Sequence, residues 1–138
     1  MSSSKTTQRK RARGTMLIYD PGTATPEASP LQRPPSLPDM QRIVGGYIEA
    51  VPFFDSIEIE GKVVRCVVFV NEEGKLSSRW NGTERGPLAI NRAATLLWEA
   101  ALQRVVPPRS LRRGNDALDV IAGPALVLTG DDDFMEAL

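Results

Sequence analysis

Ile57-Glu58-Ile59-Glu60-Gly61-Lys62-Val63-Val64-Arg65-Cys66-Val67-Val68-Phe69-Val70 is the stretch that decides the fold. Its first four residues alternate apolar and charged, the period of a strand with one face buried and the other in water. Gly61-Lys62 then reverses the chain. Val63 to Val70 is a nearly unbroken β-branched run, as expected of a central strand covered on both faces. A reversal this short joins antiparallel strands, so the reading is a hairpin at the heart of an antiparallel sheet.

Working toward the C-terminus, Asn71-Glu72-Glu73-Gly74 has the Asn-first, Gly-fourth order of a type I turn, and Lys75-Leu76 could begin a returning strand. Residues 77–86 are polar and read as an exposed loop containing the hairpin dipeptide Asn81-Gly82. Asn91 caps a helix expected from Arg92 to Val106, closed by Pro107-Pro108. Ala94, Leu97, Trp98, Ala101, Leu102 and Val105 form its apolar stripe, with Arg92, Thr95, Glu99 and Gln103 on the solvated side. Val120 to Leu128 supplies a further strand or strand pair interrupted at Gly123-Pro124, and Asp131-Asp132-Asp133 opens a short terminal helix.

Toward the N-terminus, Tyr47 to Val51 alternates as a strand ended by Pro52. Before it, Leu37, Met40, Ile43 and Val44 share one face of a short helix with Ser36 as cap and Gly45-Gly46 as stop. Residues 1–35 are rich in Ser, Thr and Pro, and this composition predicts a disordered basic tail ahead of one domain at 36–138. Met16-Leu17-Ile18-Tyr19 is its apolar island and could add a strand at the sheet edge. The expected architecture is α+β: a mainly antiparallel sheet of four to five strands, one long helix packed on a face, and short flanking helices.

Composition narrows the chemistry. The chain of 138 residues has 17 Lys and Arg against 17 Asp and Glu. Residues 1–40 hold six cations against three carboxylates and the remainder eleven against fourteen, so the tail is basic and the body acidic. No histidine is present, which removes the commonest general base near neutral pH and the catalytic triads built on it. One cysteine, Cys66, excludes an internal disulfide and a multi-thiolate zinc site, and suits a reducing cytoplasm. Apolar runs are too short to span a bilayer, and no signal-peptide hydrophobic region is seen. The expectation is a non-enzymatic protein without cofactor or metal.

Four segments resemble an uncharacterised family of small phage, plasmid and bacterial proteins, a domain of unknown function: Ile43-Val44-Gly45-Gly46-Tyr47-Ile48-Glu49, Val70 to Leu76, Asn91 with Ala94-Thr95, and Ile121 to Leu128. The resemblance implies a viral or mobile-element accessory protein in the cytoplasm of a bacterial host. It carries over no catalytic residue. The insert at 78–86 and the long N-terminal tail depart from the family pattern.

The candidate ligand- or partner-binding residues are Glu49, Asn71, Glu72, Arg79, Trp80 and Asn91. If the strand ends converge, the amides and carboxylates form a polar pocket beside an apolar sheet. Trp80 and Arg79 would anchor a host protein, since these residue types dominate interface energetics, unless Trp80 folds back onto the core, which the sequence allows equally. The alternative partner is nucleic acid, held by phosphate contacts from Lys5, Arg9, Lys10, Arg11 and Arg13. Glu49, Glu72, Glu73 and Asp131 to Asp133 could hold Mg²⁺ or Mn²⁺, though turn and helix-cap roles account for them better. Cys66 reads as a small core residue rather than a nucleophile. Oligomerisation stays open.

Overall fold

The centre of the molecule is a strand near its C-terminus. In the computed structural model, which describes residues 12–75, 78–80, 83–85, 87–105 and 119–138, Ala125–Gly130 (β9) lies in the middle of a five-stranded sheet of order β2-β1-β9-β6-β3. Its neighbours are β1 (Gly14–Tyr19) and β6 (Val67–Asn71); β2 (Glu27–Leu31) and β3 (Ile48–Ala50) form the edges, and every pairing is antiparallel. The fold class is α+β, as expected, with a five-stranded sheet, two two-stranded sheets and three helices among the described residues. The small sheets are β4 (Ser56–Ile59) with β5 (Lys62–Arg65), and β7 (Ser78–Trp80) with β8 (Thr83–Arg85). The helices are α1 (Leu37–Val44), α2 (Arg92–Val105) and α3 (Asp132–Glu136).

Alternation along β9 explains why it sits there. Ala125 and Val127 join Leu17, Tyr19 and Val68 in a core closed by α2 and the β4–β5 hairpin; Leu128 joins Met16, Val67 and Phe69 beneath Phe134, Met135 and Met40 of α3 and α1. Residues 125–128 are all fully buried. A strand apolar on both faces is stable only when both faces are covered, and two layers of cover meet here. Gly14 and Gly130 face each other across β1–β9, and the Phe134 ring lies so close that a Cβ on either would fall 2.6–2.7 Å from it. Glycine at both positions lets α3 lie directly on the sheet.

Several expectations are corrected. Val63 to Val70 is not one strand: it divides at Cys66 into β5 and β6, which belong to different sheets. The Cys66 N–H donates to the Asp55 carbonyl at 2.9 Å, which bends the chain out of the main ladder. The hairpin reversal lies at Glu60-Gly61, both at positive φ (52° and 81°), so Lys62 already belongs to β5. Met16 to Tyr19 is part of an interior strand rather than an edge, and β2 follows it, so order begins well before residue 36. Glu27 to Leu31 has little intrinsic strand preference and is recruited by pairing with β1; Pro30 is tolerated because β2 is an edge. Within 77–86, β7 and β8 pair with Trp80 opposite Thr83, where a loop was expected. Lys75 lies in a turn, and Leu76, like residues 1–11 and 106–118, falls outside the described residues.

The helix boundaries follow their capping chemistry. The Ser36 side chain accepts the Asp39 N–H at 3.2 Å, and Gly45 closes α1 in the left-handed conformation. Asp131 accepts the Phe134 N–H at 2.8 Å as cap of α3. On α2, Ala94 and Ala101 are buried as the stripe requires, but Val105 is 54% exposed. Thr95, expected in solvent, is buried because its hydroxyl donates to the Asn91 carbonyl at 2.7 Å and accepts the Ile121 N–H at 3.0 Å. Arg104 fixes the far end of α2 by donating to the Ser56 side chain (2.7 Å) and carbonyl (3.1 Å).

Truncating the centre should be costly. Leu128→Ala is expected to lower unfolding stability in urea by about 2–5 kcal/mol with little change in m-value, whereas Leu96→Ala, at a half-exposed position, changes it by less than about 0.5 kcal/mol.

Candidate functional site

A cleft opens where β3 and β6 end. β6 finishes at Asn71, whose side-chain oxygen accepts the Glu73 N–H at 2.8 Å while its amide donates to the Val44 carbonyl at 3.2 Å. The turn is thereby tied to the end of α1, and a Cβ on Gly46 would collide with the Asn71 amide at 2.6 Å. The Glu72 N–H donates to the Tyr47 carbonyl at 2.8 Å and extends the β3–β6 pairing. Because Glu49 pairs with Val70, two residues before Glu72, both glutamates lie on one face of the sheet. That face carries the core beneath α2.

Trp98 of α2 walls the other side. Its indole N–H donates to the Pro52 carbonyl at 2.9 Å, which fixes the ring against the loop after β3. Val51, Val70, Ile121 and Ala122 supply apolar lining, and Lys75 and Asp119 close the far lip with an ion pair of 2.5 Å. The cleft measures about 400 Å³, a size that suits a small ligand or an inserted side chain. The Lys75 ammonium and the Val120 N–H hold the Asp119 carboxyl below its ordinary value. Neither Glu49 nor Glu72 has an ion-pair partner among the described residues, so the cleft presents two uncompensated carboxylates beside an indole.

Of the residues singled out in the sequence, Glu49, Asn71 and Glu72 are brought together. Asn91 does not line this cleft. It is fully buried: its amide donates to the carbonyls of Tyr19 (2.7 Å) and Gly123 (2.9 Å), and its oxygen accepts the Ala94 N–H at 3.1 Å. Its side chain is committed to joining β1, α2 and the approach to β9. Arg79 and Trp80 stand on β7 opposite Glu84 and Thr83; their side chains lie outside what the structure describes. Trp98, Lys75 and Asp119 were not singled out. Trp98 fits the apolar stripe of α2 too well to be read as anything but core, and Asp119 follows a stretch with no periodic signal.

The basic and acidic sets fare differently. Lys5, Arg9, Lys10 and Arg11 lie outside the described residues. Arg13 is no part of a free arm: its guanidinium donates to Asp131 at 3.2 Å and Asp133 at 2.7 Å, joining the start of β1 to the cap of α3. Asp131 to Asp133 follow β9 at the end of the sheet opposite Glu49, Glu72 and Glu73, so the acidic residues do not converge. Among the described residues no three His, Cys, Asp or Glu side chains stand together as metal ligands. Cys66 is buried, and desolvation first and the nearby Asp55 second push its thiol up to about 12.

A family model described as a domain of unknown function, DUF3846, matches residues 14–137. The chain belongs to the DUF3846 family. The match starts at the first residue of β1 and ends just beyond α3, so the DUF3846 domain includes the two N-terminal strands. No curated protein and no solved structure matches the chain.

Three outcomes follow for this DUF3846 chain. Asn91→Ala orphans two buried carbonyls and a helix N–H, and is expected to cost at least about 2 kcal/mol in urea unfolding. Cys66 should resist a thiol reagent in the native state at pH 8 and react fully in denaturant. Asp131 is held below its ordinary value of 3.8 by the Phe134 N–H first and Arg13 second. A depressed carboxyl adds stability above its unfolded pKa and loses it as pH falls through the folded value, so stability should decline below about pH 4. Urea midpoints between pH 6 and pH 2 should fall less steeply in Asp131→Asn than in the parent.

Proposed function

We propose that this chain is a non-enzymatic accessory protein of a phage or mobile element that binds a host protein or small ligand through the loops at the Asn71 end of its sheet. The observation that carries this reading is the cleft that gathers Glu49, Asn71 and Glu72 against Trp98. Two carboxylates with no ion-pair partner among the described residues, beside an aromatic wall, favour a cationic group, such as a Lys or Arg side chain of the partner. The accessory role rests on the resemblance to small phage and plasmid proteins, and the family itself assigns no activity.

A binding role also fits the chemistry at hand. The chain has no histidine, and its one thiol is buried and held protonated. Residues whose polar atoms are all engaged, such as Asn91, hold the scaffold rigid while the two glutamates stay available. A bacterial cytoplasm is the proposed setting, in keeping with the single cysteine. No described helix is long and apolar enough to cross a membrane.

The test compares tagged wild-type chain with Glu49→Lys/Glu72→Lys in nuclease-treated host lysate, followed by titration of the captured partner. A stoichiometric partner bound at least about tenfold more weakly by the double variant supports the reading. Equal capture by both proteins, or none, overturns it.

A further inference from the structure

β3 is an edge strand whose outer side is bare. The Glu72 N–H donates to the Tyr47 carbonyl at 2.8 Å and the Val51 N–H to the Val68 carbonyl at 2.9 Å, so Tyr47, Glu49 and Val51 turn their backbone groups toward β6. In an antiparallel ladder the residues between them face the other way. The N–H and C=O groups of Ile48 and Ala50 therefore point out of the sheet, and none of the four has a partner among the described residues. The edge at β2 is blunted by comparison. There the Leu31 carbonyl accepts the Arg13 N–H at 2.9 Å from the β1 side, so by alternation Ala28 and Pro30 face outward, and Pro30 has no N–H to offer.

The side chains at this edge select what pairs with it. Glu49 stands between Ile48 and Ala50, exposed, on the face that meets Glu72 and the Trp98 ring in the cleft. Lys75, the one cation among the described lining residues, is already paired with Asp119. Lys62 and Arg65, which have no ion-pair partner among the described residues, line a groove at the other end of the sheet. A second copy of the chain pairing antiparallel about Glu49 would set Glu49 opposite Glu49, and like charges directly opposite are destabilising. We propose that the β3 edge takes an extended segment of another protein as a sixth, antiparallel strand that carries a Lys or Arg opposite Glu49. Such a strand meets all four free backbone groups. The residue opposite Glu49 shares its face, so the cation lies beside both glutamates and the indole. Main-chain hydrogen bonds supply affinity and the cation supplies selectivity. The inference rests on the cleft reading above and adds the form of the partner, an extended main chain.

The probe is the peptide acetyl-Thr-Val-Thr-Lys-Thr-Val-Thr-amide, titrated to millimolar concentration into the isotope-labelled full-length chain and followed by NMR. The amide signals of Ile48 and Ala50 should shift and their exchange with solvent should slow, because both N–H groups become donors. In the antiparallel arrangement the two threonines beside the lysine turn their N–H groups to β3, and the lysine turns its own away. N-methylation of both threonines should therefore weaken binding at least about tenfold, while N-methylation of the lysine leaves it within about twofold. Glutamate in place of the peptide lysine, or Glu49→Lys/Glu72→Lys in the protein, should each weaken binding at least about tenfold. A spectrum unchanged away from the cleft shows that the double variant is folded. Ile48 and Ala50 signals that do not move, or equal binding after N-methylation of the flanking threonines, would overturn the added strand and leave the cleft reading standing. Binding of the lysine peptide unaffected by Glu49→Lys/Glu72→Lys would overturn both.

Discussion

The Asn91 carboxamide, with no exposure to solvent, uses both of its hydrogens on the carbonyls of Tyr19, the last residue of β1, and Gly123, just before β9, and its oxygen on the first turn of α2. Its backbone N–H reaches Ile121, and its carbonyl takes the Thr95 hydroxyl. One residue thus sets where the long helix starts, how far β1 runs, and how the chain enters β9. A buried network with every member satisfied rigidifies a single arrangement, and the same low-polarity surroundings make any missing member expensive. Trp98 lies on the helix so positioned, and its place opposite Glu49 and Glu72 depends on that start. The cleft wall is therefore fixed from a residue that does not touch the cleft.

Local chemistry was legible in the sequence wherever it acts within a few residues. Ser36, Asn91 and Asp131 cap the helices they were expected to cap, since a side-chain oxygen finds a backbone N–H three residues on. The family resemblance and a mainly antiparallel sheet of four to five strands were legible as well. The centre of the sheet was not, because Val63 to Val70 and Ile121 to Leu128 are both long apolar runs and nothing local ranks them. The break at Cys66 has no Gly or Pro to announce it; it follows from a hydrogen bond to Asp55, eleven positions earlier. β2 was missed for a related reason, since Glu27 to Leu31 becomes a strand only through the partner it meets.

At the site, the Asn71 turn and its glutamates could be read from the order of turn residues. Trp98, Lys75 and Asp119 could not, because their roles depend on which segments are neighbours in space. The charge division seen in the sequence has a spatial form: among the described residues, carboxylates without ion-pair partners lie at one end of the sheet and cations without them at the other. Arg13 crosses that division, since a residue assigned to a basic arm is instead the clasp of α3.

β9 also sets the order of events at the ribosome. It is the last of the five strands to be synthesised, yet β1 and β6 meet only through it. Until Ala125 to Gly130 emerge, β1–β2 and β3–β6 are separate antiparallel pairs, each with an open edge and apolar side chains that lack their cover. Two-stranded pairs of that kind are marginal alone and prone to pairing with other chains. Assembly of the sheet is accordingly a late event in translation, and a nascent chain halted before Ala125 presents two adhesive fragments instead of part of a fold.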